Sequence, residues 1–77
     1  MVSGLQPEAV QTSAIAAMRG AAHPQIQRVR CEFANGSLRL HGRVASFYLK
    51  QMAQSIAGQA IPPTIEIDNR LEVAGIQ

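Results

Sequence analysis

Residues 29–44 of the chain read VRCEFANGSLRLHGRV, and their pattern predicts the central part of the fold. Val29, Cys31 and Phe33 alternate with charged residues, which is the period-two pattern of a strand with one buried face. Asn35-Gly36 then predicts a type I′ hairpin turn, because both central residues of that turn require a positive φ. Alternation resumes after the turn, so the stretch predicts two antiparallel strands.

The second strand of this hairpin is predicted to alternate in the same way. Its inward residues are Leu38, Leu40, Gly42 and Val44, and its outward residues are Ser37, Arg39, His41 and Arg43. A glycine at an inward strand position indicates either the close approach of another element, here a helix, or a β-bulge.

Helical periodicity flanks the hairpin on both sides. Pro7-Glu8 predicts the start of a first helix and Gly20 its end. Ser46 predicts the N-cap of a second helix, which Pro62-Pro63 terminates. The inward faces are predicted as Val10, Ala14, Ala17 and Met18, with Ile15 at the margin, and as Leu49, Met52, Ala53, Ile56, Ala57 and Ala60. Residues 21–27 are predicted to be a connection.

A last strand follows the second helix. Its predicted inward residues are Ile65, Ile67, Leu71 and Val73, with Asn69 as a polar interruption. The element order is therefore αββαβ, in which the second strand, second helix and third strand form a right-handed crossover. The predicted fold class is α/β, an α+β sandwich with two helices packed on one face of a three-stranded mixed sheet. The pattern leaves the strand order open.

Length and composition limit what such a chain can do. Seventy-seven residues predict one domain, with a core over roughly 7–74 and loose termini at 1–6 and 75–77. The single cysteine excludes an intramolecular disulfide framework and a cysteine zinc site. A net charge of +2 is too small for an electrostatically dominated nucleic-acid binder, so nucleic acid is an unlikely partner.

Motifs for catalysis are missing from the sequence. There is no Ser-His-acid set, no glycine-rich phosphate loop and no paired inward carboxylates, and neither His23 nor His41 has a second metal ligand at useful spacing. We therefore expect no enzyme, no metal and no cofactor. The first residues also lack the basic and apolar stretches of a signal peptide.

The quoted hairpin, followed by a helix with Lys50 and Ala53 and by IEIDNRLEV at residues 65–73, resembles the BON domain family of bacteria. The matching positions are Asn35, Gly36, Leu38, Leu40, Gly42, Val44, Ser46, Asn69, Leu71 and Val73. A departure is Ala60-Ile61-Pro62-Pro63, where that family commonly has a Gly-Val pair. The resemblance implies an envelope-associated, phospholipid-binding module without catalytic residues, located in the periplasm or cell envelope if the chain is part of a longer protein.

Charge is concentrated on the outward face of the predicted sheet. That face carries Arg28, Arg30, Arg39, Arg43 and Arg70, with Glu32, Glu66, Asp68, Glu72 and His41. One interpretation is a solvated face with ion pairs between the arginine-rich hairpin and the acidic last strand. In another, Arg28, Arg30, Arg39 and Arg43 bind phosphate of lipid or another anion. A third is a protein partner that adds to an edge strand.

Two aromatic residues, Phe47 and Tyr48, open the second helix before its apolar face begins at Leu49. They either cover the end of the sheet or are exposed and enter a membrane interface or a partner's groove. Lys50 and Arg43 would favour anionic lipid at this place.

Two functions from different classes follow. The first is a non-enzymatic, BON-like binding module for phospholipid, a membrane surface or another anionic ligand. The second is a structural module for protein–protein contact or homo-oligomerisation, similar to the ring-building domains of bacterial secretion systems. Cys31 is expected to be a buried structural thiol in either case.

Overall fold

The structure, a computed structural model, describes residues 7–74, so the predictions for residues 1–6 and 75–77 lie outside the described residues. The predicted fold class is confirmed: helices pack against a mixed three-stranded sheet. The elements are α1 (Pro7–Arg19), α2 (Pro24–Gln27), β1 (Arg30–Ala34), β2 (Ser37–His41), β3 (Arg43–Val44), α3 (Phe47–Ala60), β4 (Glu66–Asn69) and β5 (Glu72–Val73).

The hairpin has the predicted turn and register. Asn35 and Gly36 have φ of 53° and 78°, as a type I′ turn requires. Ala34 lies opposite Ser37, and the antiparallel pairing of β1 with β2 extends to Arg30 opposite His41. The alternation therefore buries Cys31, Leu38 and Leu40 and leaves the arginines on the other face.

Gly42 divides the predicted second strand into β2 and β3. Its φ of 139° lies in the region that favours glycine, so the strand bends there. A Cβ at Gly42 would lie 3.5 Å from Cδ2 of Leu71 and 3.8 Å from Cα of Val29. The expected close approach of a helix is therefore wrong: both neighbours lie beside the strand at ordinary contact distance, and the positive φ is what favours glycine.

The predicted last strand is likewise two strands, β4 and β5, and each pairs in parallel with one half of the second strand. The sheet order is β1-β2-β4, and β3 pairs with β5 beyond it. The N–H groups of Arg70, Glu72 and Ala74 donate to the carbonyl oxygens of Leu40, Gly42 and Val44 at 2.9, 2.9 and 2.8 Å. Backbone hydrogen bonds thus continue across the bend and join both halves.

The hydrophobic core lies between the sheet and helices α1 and α3. The buried core comprises Val10, Ala14, Met18, Ile26, Val29, Cys31, Leu38, Leu40, Val44, Leu49, Ala53, Ala57, Ile61, Ile65 and Leu71. Most of these residues are on the predicted inward faces. Ile26 is not, because residues 21–27 were predicted to be a connection. The segment contains the short helix α2, and Ile26 is fully buried.

Asn69, the polar residue in the inward set of the last strand, fastens that strand to α3. Its Nδ2 donates to the carbonyl oxygen of Lys50 at 3.0 Å and to Oε1 of Gln54 at 3.1 Å. Its Oδ1 accepts from the N–H of Leu71 at 3.1 Å. The side chain therefore satisfies a backbone group at the gap between β4 and β5.

Candidate binding surfaces

The charged residues on the outward face of the sheet form few ion pairs between the hairpin and the last strand. A solvated face held by such pairs would require more of them. Nε of Arg43 lies 3.3 Å from Oε1 of Glu72, which is the expected pairing of hairpin and last strand. Both side chains are largely exposed, so this pair contributes only about 0–1 kcal/mol to stability. Among the described residues, the other charged contacts are local: Arg70 pairs with Asp68 at 2.8 Å, and Nε2 of His41 lies 3.4 Å from Oε1 of Glu32 in the hairpin.

The other three candidate arginines have no such partner in the part of the chain that the structure describes. Within residues 7–74, no carboxylate lies within 4.0 Å of the guanidinium groups of Arg28, Arg30 or Arg39. Arg39 lies in register between Glu32 of β1 and Asp68 of β4. It is thus the one with acidic neighbours on both sides, whereas Arg28 and Arg30 lie at the start of β1.

Three large apolar residues near the carboxyl ends of β3 and β5 are exposed. Phe47, Tyr48 and Val73 are 60%, 65% and 42% exposed. Val73 lies in register with Val44, and α3 begins three residues after Val44 and contacts β5. With Arg43 and Lys50, these residues are called the end patch.

At the end patch, the structure decides between the two alternatives for Phe47 and Tyr48, and the expectation for Val73 is wrong. Oγ of Ser46 accepts from the N–H of Leu49 at 3.2 Å, so the N-cap sets the start of α3 and Leu49 is the first residue to enter the core. Phe47 and Tyr48 therefore point away and do not cover the sheet. Val73 was predicted inward, but α3 begins at this level and does not cover it.

A second surface runs along the free edge of β1. A groove of about 500 Å³ lies there, lined by Ile15, Arg19, Gln27, Arg28, Val29, Arg30 and Cys31. It is called the edge groove. It brings Arg28 and Arg30 together with Arg19, the last residue of α1. The four candidate arginines are thus not brought together: Arg28 and Arg30 line the edge groove, Arg39 lies on the central strand β2, and Arg43 belongs to the end patch.

A second depression, of about 340 Å³, is lined by Glu8, Gln11, Thr12 and Phe33. A third, of about 410 Å³, is lined by Arg30, Cys31, Glu32 and His41. In residues 7–74, no group of three or more His, Cys, Asp or Glu side chains is placed to hold a metal ion. Among the helices described here, none has the length and apolar character needed to cross a membrane.

Cys31 is the second residue of the edge strand β1 and is buried, with 6% of its surface exposed. Burial raises the pKa of its thiol, because desolvation disfavours the thiolate. Since only the thiolate reacts, we expect a thiol reagent at pH 8 to label the folded protein at least tenfold more slowly than the urea-unfolded protein. Because burial favours the neutral thiol, protonated Cys31 contributes to the stability of the folded state. This contribution to the free energy of unfolding is present below about pH 9 and is lost as pH rises further.

The measurement for Cys31 is the rate of thiol absorbance change with an aromatic disulfide reagent, with and without urea. Free cysteine at the same pH gives the intrinsic rate and corrects for the effect of urea. Equal rates for folded and unfolded protein would contradict the buried position.

Comparison with known proteins adds no family assignment to this geometry. No protein-family model matches the chain, and no curated protein matches it either.

Proposed function

We propose that this chain is a non-enzymatic binding module that contacts anionic membrane surfaces through the end patch. The observation that carries the proposal is the exposure of Phe47, Tyr48 and Val73 near the place where β3 ends and α3 begins, with Arg43 and Lys50 close by in the chain. Water-exposed large apolar side chains that are grouped and flanked by cations are typical of interaction sites. The resemblance to the BON family, with its association with phospholipid, supports the same function.

The chemistry of the end patch suits a lipid interface. Tyrosine is enriched at the headgroup level because its ring is apolar and its hydroxyl is polar, and phenylalanine can enter the acyl boundary. Each cation near an anionic leaflet adds about 1 kcal/mol. Glu72 offsets part of this attraction, since it pairs with Arg43. We therefore expect reversible binding of modest affinity.

The test is co-sedimentation of the protein with vesicles of phosphatidylcholine containing about one third phosphatidylglycerol. We expect binding that weakens as salt rises from about 50 to 300 mM, since screening acts on the exposed cations. The double variant Phe47→Ala/Tyr48→Ala should lower the partition coefficient at least tenfold, through the loss of about 1.5–3 kcal/mol of apolar transfer per fully inserted ring. Arg43→Ala/Lys50→Ala should lower it about tenfold at low salt only.

The matched control changes two exposed residues farther along α3, Ser55→Ala/Gln59→Ala, and should bind as the parent does. Circular dichroism of each variant establishes that it is folded. Absence of binding at every vesicle composition, or equal loss in the control, would refute the proposal.

A second candidate function, a structural module that self-associates, has one observation in its favour. β1 is an edge strand of the sheet, and an unpaired strand edge can pair with another chain. Light scattering at millimolar concentration distinguishes the two: a self-associating module gives a mass that rises with concentration, whereas a membrane-contacting module remains a monomer.

A further inference from the structure

The hairpin register determines which backbone groups of β1 point away from the sheet. A two-residue turn makes Ala34 and Ser37 a hydrogen-bonded pair, and such pairs alternate along an antiparallel ladder. Glu32 and Arg30 are thus bonded to β2. The backbone N–H and C=O of Cys31 and Phe33 then point to the free edge, because hydrogen-bonding direction alternates with each residue.

Two N–H groups along this edge are already used. The N–H of Phe33 donates to Oε1 of Gln11 at 2.9 Å, and the N–H of Val29 donates to the carbonyl oxygen of Ile26 at 3.0 Å. Cys31 N–H and the edge-facing carbonyls of Val29, Cys31 and Phe33 have no hydrogen-bond partner within residues 7–74. One added antiparallel strand could bond to these four groups, with the residue opposite Cys31 making two of the bonds.

The charge beside the start of this edge, at residues 28–31, is mainly positive, whereas Glu8 lines the depression at Phe33. Among the described residues, the edge groove is lined by Arg19, Arg28 and Arg30 and by no Asp or Glu. Arg28 and Arg30 also have no carboxylate within 4.0 Å among the described residues. A planar guanidinium binds a carboxylate through two parallel hydrogen bonds, so the groove favours an extended segment that carries several carboxylates.

We propose that the free edge of β1 binds an extended acidic segment of a partner protein, which adds to the sheet as an antiparallel strand. Backbone hydrogen bonds at Val29, Cys31 and Phe33 hold the segment, and Arg19, Arg28 and Arg30 select its carboxylates. A second copy of this chain fits less well, since its own β1 offers one carboxylate, Glu32, against three arginines. This site is independent of the end patch.

The experiment measures fluorescence anisotropy of a labelled seven-residue peptide of alternating glutamate and threonine. We expect saturable binding, and none for the same peptide with lysine in place of glutamate. Arg19→Ala/Arg28→Ala should weaken binding at least fivefold. The control Arg43→Ala/Lys50→Ala makes the same change in net charge away from the edge and should bind the peptide as the parent does.

Two further measurements distinguish a peptide that adds to the sheet as a strand from one that is bound by charge attraction alone. A peptide with the same carboxylates but N-methylated backbone amides should lose binding, because it cannot donate to the carbonyls of β1. Hydrogen exchange of the Cys31 amide should slow when the unmodified peptide is bound. Equal binding of the methylated peptide, an equal loss in the control variant, or no saturable binding would overturn the proposal. So would a concentration-dependent dimer abolished by Arg28→Ala, which would make a second copy the occupant.

The two proposals can fail separately. Arg19→Ala/Arg28→Ala should retain vesicle binding and lose the peptide, whereas Phe47→Ala/Tyr48→Ala should retain the peptide and lose the vesicle.

Discussion

Ile26→Ala is expected to lower the free energy of unfolding by about 2–5 kcal/mol, which is the usual cost of truncating a fully buried isoleucine. The side chain belongs to the four-residue helix α2, which contacts α1, β3 and α3. The loss would leave a cavity where these elements meet. A domain of this size has a stability near the low end of about 5–15 kcal/mol, so the variant should be partly unfolded at 37 °C.

The measurement is urea denaturation followed by circular dichroism at 222 nm. Ile56→Ala is the matched control, since the same atoms are removed from a half-buried side chain on α3. Its cost should be clearly smaller. If the two variants lose equal stability, or if Ile26→Ala loses less than about 1 kcal/mol, α2 does not anchor the core as described.

Gly42→Ala is expected to cost about 1–3 kcal/mol, and the cause is the backbone and not a collision. At a φ of 139° a residue with a Cβ is strained. The nearest atoms to a new Cβ, Cδ2 of Leu71 at 3.5 Å and Cα of Val29 at 3.8 Å, are at ordinary contact distance. Relief of the strain would require β2 and β3 to straighten and would disturb the pairing of β3 with β5.

The control for this variant is the same chemical change at Gly58, in the interior of α3. A Cβ there would lie 3.5 Å from Cδ1 of Ile67, again an ordinary contact, and alanine is the better helix former by about 1 kcal/mol. Gly58→Ala should therefore leave stability unchanged or raise it. In thermal denaturation, Gly42→Ala should lower the melting temperature relative to the parent protein, whereas Gly58→Ala should leave it unchanged or raise it. A Gly42→Ala protein as stable as the parent would mean that the bend at Gly42 is not a fixed feature.

The sequence was sufficient wherever a local interaction decides the structure. The residues Asn35-Gly36 themselves favour the positive φ values of the turn, and Ser46 caps the helix that follows it. Almost all residues on the inward faces of the two long helices could be predicted. The fold class followed because each element has one apolar face and must bury it. The exposure of Phe47 and Tyr48 could have been derived from the N-cap at Ser46 and the first inward position at Leu49.

The sequence was insufficient wherever distant segments decide the structure. Ile26 looked like a residue in a loop because four residues are too few to show a period. Val73 continues the alternation of the last strand, but only the position of α3 determines whether anything covers it. The edge groove depends on how α1 lies against β1, so no spacing in the chain could associate Arg19 with Arg28 and Arg30.

The Asn35-Gly36 turn also has a kinetic consequence. It brings five residue pairs of β1 and β2 together across two residues, and such a hairpin forms in about 1–10 μs. The parallel pairing of β2 with β4 must instead close a loop that contains all of α3, as in Ser37 opposite Glu66. Loop closure of this kind slows folding, so we expect the hairpin to be native-like in the folding transition state and β4 and β5 to join last.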